Sequence, residues 1–325
     1  MSILERSEPT TTARAPRTQD GYCPFPLSRD ARSFGLTTSA MRLGTGTVSV
    51  RHGRRTDSDT ATILLHGAAG SWTTWTPLLA AADSVNAALT DLIIPDLPGW
   101  GDSVLPRGEA AGTIQSTAAV VAEIARALGY RSWTVIGHSL GGFVALELAA
   151  SEPRSTRFVG LVSTASFSVI DTVRHPVSSG SELPGFGALL PVMRGLALLG
   201  RAGSDLVGAL HRWGLLRPLT APLFRRPKLV SESMIEALAT EVRPRAFAAA
   251  SALAGRYDTR AWSRIECPVR ASQGDADVFV AATDAVRLRD VIRDFTLCTV
   301  PDTGHFGHVE RPFQTLDHVL PVARR

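Results

Sequence analysis

A serine, an aspartate and a histidine, widely separated in the chain, carry the chemistry that this sequence offers. Ser139 lies in "GHSLG", residues 137–141, with a glycine two positions before it and two after. A serine flanked in this way, between an apolar strand and a helix, matches the pattern of a nucleophile elbow, where small neighbours leave room for a strained backbone. The segment "WTVI" before it and "GFVALELAA" after it supply that strand and helix. The alternative reading, Ser139 as a plain turn residue, explains neither flank. A serine hydroxyl needs a base to take its proton. Of the eight histidines, His305 in "VPDTGHFGHVERP" follows the last expected strand and precedes the last helix. Loops at the carboxyl ends of parallel strands form the active face of such a sheet. His308, three residues later, is the rival base. The acid that orients the base is expected in "ASQGDADVFV", where Asp277 is preferred and Asp275 is read as a turn former.

The elements that position these residues follow from hydrophobic periodicity. "FGLTTSAMRLGTGTVSVRHG" reads as a hairpin turning around Gly44 and Gly46. "TILLHG", "DLIIPD", "WTVIG", "FVGLVST", "CPVRASQGD" and "FTLCTV" read as short buried strands. "STAAVVAEIARALG", "GGFVALELAASEP", "AATDAVRLRDVI" and "PFQTLDHVLPVA" read as helices. Strands alternating with helices predict a mostly parallel sheet covered on both faces. Residues 167–250 break this rhythm with Gly, Pro and short amphipathic pieces, and are expected to form a helical cap insertion. The core is then 31–166 plus 251–325, with residues 1–30, rich in Thr, Pro, Arg and Ser, as a flexible extension.

Composition narrows the function. The net charge of +4 over 325 residues is too small and too scattered to suggest a nucleic-acid partner. Cys23, Cys267 and Cys298 are odd in number and irregular in spacing, which fits neither a metal site nor a disulfide framework. No secretory leader or long apolar span is found, so no membrane span is expected and a cytoplasmic location is.

The stretches "LLHGAAGSWTTW", "DLPGWGDS", "GHSLGG", "QGDADVFV" and "TGHFGHVERP", in this order between residues 60 and 315, resemble the α/β-hydrolase superfamily, in particular its cap-bearing, esterase-like branch. The resemblance implies an eight-stranded sheet and a catalytic triad of Ser139, Asp277 and His305, in the chain order given for that fold. It also implies an oxyanion hole formed by the backbone N–H groups of Ala68 and Leu140. The elbow serine argues against the haloalkane dehalogenases and epoxide hydrolases, which carry aspartate there. The expected activity is hydrolysis of a carboxylic ester or related acyl bond, on a small to medium apolar acyl substrate and without metal or organic cofactor. Lactone, thioester, carbon–carbon, perhydrolase or acyl-transfer chemistry at the same triad is the alternative. A ligand-binding protein with negligible turnover is the reading from another class. Trp72 and Trp75, beside the oxyanion loop, are candidates for an apolar pocket, with ordinary core packing as the competing role. His66, His138, Asp96 and Asp102 are read as structural.

Overall fold

A computed structural model describes residues 20–44, 46–68, 70–105, 112–176 and 183–321. Strands β1 (Leu36–Leu43) and β2 (Gly46–Gly53) form the antiparallel hairpin. They are followed by β3 (Thr60–Leu65), helix α1 (Thr76–Ser84), β4 (Leu92–Pro95), α2 (Ile114–Ala127), β5 (Ser132–His138), α3 (Leu140–Ser151) and β6 (Thr156–Val162). Among the described residues six α-helices then come without an intervening strand: α4 (Phe167–Arg174), α5 (Pro184–Leu198), α6 (Arg201–Arg212), α7 (Leu216–Leu219), α8 (Glu232–Glu241) and α9 (Pro244–Ala254). The alternation resumes with β7 (Val269–Gly274), α10 (Ala282–Val291), β8 (Phe295–Val300), the one-turn α11 (Gly307–Glu310) and α12 (Pro312–Val319). The eight strands form one sheet in the order β1-β2-β4-β3-β5-β6-β7-β8. All pairings are parallel from β4 through β8, and β1–β2 and β2–β4 are antiparallel.

The continuous apolar runs are explained by burial on both faces. Successive strand side chains point to opposite faces. Ile63 and Leu65 of β3 and Val135 of β5 therefore join one cluster with α2, α3 and α10. Leu64 and Ile136, the alternate residues, join a second cluster with α1 and α12. A third cluster links α6, α7 and α8 to Phe306 and Val309, so the inserted helices are anchored beside the loop that bears His305.

Two sequence expectations change. The helical stretch between β6 and β7 runs to Ala254, past residue 250, because α9 continues its apolar face through Ala250 and Ala254. The flexible extension does not reach residue 30. Tyr22 is fully buried, the Cys23 N–H donates to the Glu310 carbonyl at 2.8 Å, and the Leu27 and Ser28 N–H groups donate to Ser233 and Thr76. Composition missed this because single partners far along the chain, not a hydrophobic run, hold the segment. The rest of the expected extension, residues 1–19, lies outside the described residues.

Candidate active site

Ser139 occupies the turn between β5 and α3 with φ 50° and ψ −115°, a left-handed region that non-glycine residues rarely enter. Its carbonyl accepts from the Gly142, Phe143 and Ala165 N–H groups, and its own N–H donates to Val162 O at 3.0 Å, so surrounding backbone holds the strained conformation. The flanking glycines are required by space. A Cβ on Gly137 would lie 2.3 Å from Gly141 O, and one on Gly141 would lie 2.1 Å from Leu65 O. Leu140, just after the serine, is the first residue of α3, whose leading N–H groups have no partner within the helix.

His305 follows β8, and Asp277 follows β7. The His305 Nδ1–H donates to the Asp277 carboxylate at 3.0 and 3.1 Å. An ionised carboxylate can only accept, so this bond places the proton on Nδ1 and leaves Nε2 with its lone pair. The Asp277 side chain is fully buried. Burial alone would raise its pKa. The His305 charge and hydrogen bond, the Phe279 N–H at 2.8 Å and the Ser163 hydroxyl outweigh that and hold it below the ordinary carboxylate value. Asp275 accepts the Thr303 N–H at 3.1 Å and ties the two loops together, the turn-forming role read from sequence.

Ser139, His305, Ala68 and Leu140 line a single cavity of about 70 Å³. Its other walls are mostly apolar, with His138 and Ser251 as polar exceptions, and come both from the core, such as Phe143 of α3, and from the inserted helices, such as Phe186 and Phe247. Trp72 and Trp75 are not among them. Trp75 is fully buried in the cluster of α1 and α12, its ring 4.6 Å from that of His308, and Trp72 packs under Arg51. The expectation of a substrate-binding role for the two tryptophans is thus replaced by core packing. Adjacency in sequence to the Ala68 loop does not reveal toward which face of the sheet a side chain turns.

Four buried polar residues fix the site from behind. The Leu97 N–H donates to His66 Nε2 at 2.9 Å, so His66 Nδ1–H donates to Gly67 O at 2.8 Å, holding the backbone next to Ala68. His138 Nε2–H donates to the His305 carbonyl at 3.0 Å. Asp96 is ion-paired to Arg51 at 2.5 Å and accepts the Trp72 N–H at 3.0 Å. Glu310, unnoticed in the sequence, accepts the Gly304 and Phe306 N–H groups on both sides of His305, the Arg225 N–H and the Tyr22 hydroxyl. No local signal singles it out, because the stretch around it, "HFGHVERP", already holds two histidines and an arginine.

His308 does not reach the cavity. It is fully buried among Trp75, His138 and Phe306, and neither ring nitrogen has a hydrogen-bond partner among the described residues. Burial, assisted by the nearby His305 charge, pushes its pKa down to about 3. In the unfolded chain a histidine titrates near ~6.5. The folded value is the lower one, so the unfolded state binds the extra proton and stability is lost as pH falls from about 6.5 towards 3. His308→Leu removes this term. Its urea-unfolding free energy relative to the parent is expected to improve by about 1.4 kcal/mol per pH unit of acidification between pH 6 and 4. A difference independent of pH would contradict the neutral, buried imidazole.

Among the described residues no helix is long and apolar enough to cross a membrane. Known proteins share the architecture. A dihydrolipoyllysine-residue acetyltransferase component of an acetoin cleaving system from Cupriavidus necator is 34% identical over 120 residues, 37% of this chain and 30% of that protein. Its counterpart from Pseudomonas putida is 24% identical over 283 residues, 83% of this chain and 65% of that protein. The chain thus spans less than two thirds of the length of either relative. Among solved structures, the epoxide hydrolase CorEH superposes with a TM-score of 0.65 at 21% identity, covering 87% of this chain and 96% of that one, which shows a shared fold. Residues 62–318 match the family model described as "Alpha/beta hydrolase family". With the sheet order, the elbow and a match over most of its length, the chain belongs to the alpha/beta hydrolase family.

Proposed function

We propose that the protein is a serine hydrolase that cleaves a carboxylic ester of an apolar substrate, with Ser139, His305 and Asp277 as its triad and residues 167–254 as a cap over the site. One observation carries the reading: the strained Ser139 and the Asp277-oriented His305 line one small, mostly apolar cavity. In the first step Ser139 Oγ bonds to the acyl carbon while its proton passes to His305 Nε2. The carbonyl oxygen becomes an oxyanion, stabilised by the Ala68 and Leu140 N–H groups in a site that holds little water. His305 then gives its proton to the departing alkoxide as the carbon–oxygen bond breaks, leaving an acyl-enzyme. In the second step water loses a proton to His305 and attacks the acyl carbon, and His305 returns that proton to Ser139 Oγ as the carbon–Oγ bond breaks and the acid leaves. Asp277 keeps the proton on Nδ1 throughout and stabilises the imidazolium. The serine also separates this site from epoxide hydrolases, which resemble it in "HG" and "PGWG" but carry aspartate at the elbow.

A panel of simple alkyl esters, the matching thioesters and lactones tests the bond class. The expected result is steady turnover of the esters with a kcat/KM at least tenfold above that for either other class. Turnover of lactones alone, or a single acylation burst with no steady rate, would overturn the ester reading.

A further inference from the structure

Beyond the catalytic cavity is a second, larger space, lined mainly by the inserted helices. Its volume is about 520 Å³, against about 70 Å³ beside Ser139. Met193, Leu196, Val207, Leu210, Leu216 and Leu238 supply much of its wall from α5, α6, α7 and α8. Among the described residues the one hydroxyl side chain on the wall, Thr220, donates to the Leu216 carbonyl at 2.9 Å. A polar or charged group placed here would lose its hydration with no side chain to replace it. The space therefore suits an apolar occupant, and its size falls within the ~300–1,000 Å³ typical of whole ligand sites.

Leu189, Leu223, Phe247 and Phe279 line both spaces and form the wall they share. Two of these four touch the base. The His305 N–H donates to Leu223 O at 2.9 Å, and the Phe279 ring lies 5.1 Å from the His305 ring. None of the four belongs to the Ala68 or Leu140 segments, where the oxyanion is held. The general acid must reach the leaving oxygen, so the leaving group departs on the His305 side. We infer that the chamber in the cap binds the alcohol half of the substrate, and that the preferred substrate is the ester of a short acid with a long or bulky apolar alcohol. Room beside Ser139 limits the acyl group: at ~10–15 Å³ of such volume per water, 70 Å³ holds on the order of five waters. Val192 and Leu219 line the chamber and are 56% and 62% exposed, so its far side opens to the surface and leaves a route for the alcohol.

This inference rests on the serine-hydrolase reading above, and its test separates the two. Two series are assayed on the full chain: ethyl, butyl and octyl acetate, and ethyl acetate, butyrate and octanoate. Each methylene moved from water into an apolar site is worth about fourfold in kcat/KM. The expected result is a rise of at least tenfold from butyl to octyl acetate, and a shallower or falling trend along the acyl series. An acyl trend as steep as the alcohol trend, or steeper, would overturn the assignment, as would two flat series. Ala188→Trp, on the exposed side of α5 where Ala188 lines only the larger space, should cut the octyl-to-butyl ratio fivefold or more. An unchanged ratio in the folded variant would count against the chamber. Labelling of Ser139 by a fluorophosphonate is run alongside. If Ser139 is labelled and the series fail, only the chamber assignment falls; if Ser139 is not labelled, both readings fall.

Discussion

Ser139→Ala is expected to lower kcat for ester hydrolysis by about a thousandfold or more, with the residual rate arising from binding and the oxyanion donors alone. The size of the effect follows from the site. In the proposed mechanism Ser139 Oγ is the atom that bonds to the acyl carbon, and no second hydroxyl is placed on the same turn. The substitution should leave the fold intact. The strain at φ 50° belongs to the backbone and is held by the bonds to Val162, Gly142, Phe143 and Ala165, all of which an alanine keeps. The measurement is kcat/KM together with the urea midpoint. A large loss of turnover at an unchanged midpoint supports the nucleophile, whereas parallel losses would reduce Ser139 to a structural residue.

His305→Ala is expected to cost about a thousandfold or more as well, because it removes the proposed base and proton donor together. His308→Leu is the matched control. The two histidines are three residues apart, and sequence alone leaves them as rivals. In the fold they part: His305 lines the cavity and is held by Asp277, whereas His308 packs between Trp75 and His138. The predicted pattern is loss of turnover with little loss of stability for His305→Ala, and a pH-dependent change in stability with turnover retained within about tenfold for His308→Leu. The reverse pattern would move the base to His308. If Ser139 and His305 act as a unit, as proposed, the double variant should be hardly slower than either single one.

How legible the site was depended on which force placed each residue. The elbow could be read because sterics leave no alternative: any side chain at Gly137 or Gly141 would strike backbone of the same turn or of β3. His305 and Asp277 could be placed because each follows an apolar strand long enough to be recognised, and loops after parallel strands meet on one side of the sheet. The sheet itself was legible from the runs in β3 to β8, and its order came only with the structure. What stayed hidden depends on single long-range partners. Glu310 and Tyr22 are 288 residues apart and meet through one hydrogen bond of 2.7 Å. Nothing in their local sequence marks either as part of the support for His305. His66 and His138 could be recognised as structural, yet which backbone atoms they hold, Gly67 O and His305 O, could not. For Trp72 and Trp75 the sequence leaves pocket lining and core packing both open, because aromatic character announces burial without saying on which face. The sequence predicts helices between β6 and β7, and the chamber they line appears only once α5 to α8 are packed together.

The central claim is that Ser139 is a nucleophile activated by His305, and covalent trapping tests it most directly. The intact protein is treated with a fluorophosphonate at pH 7.5, and the adduct is located by mass spectrometry of its peptides. The expected result is one adduct per chain, on Ser139, absent from Ser139→Ala and formed at least a hundredfold more slowly in His305→Ala. An adduct on another residue, or labelling of Ser139 that is as fast without His305, would contradict the account.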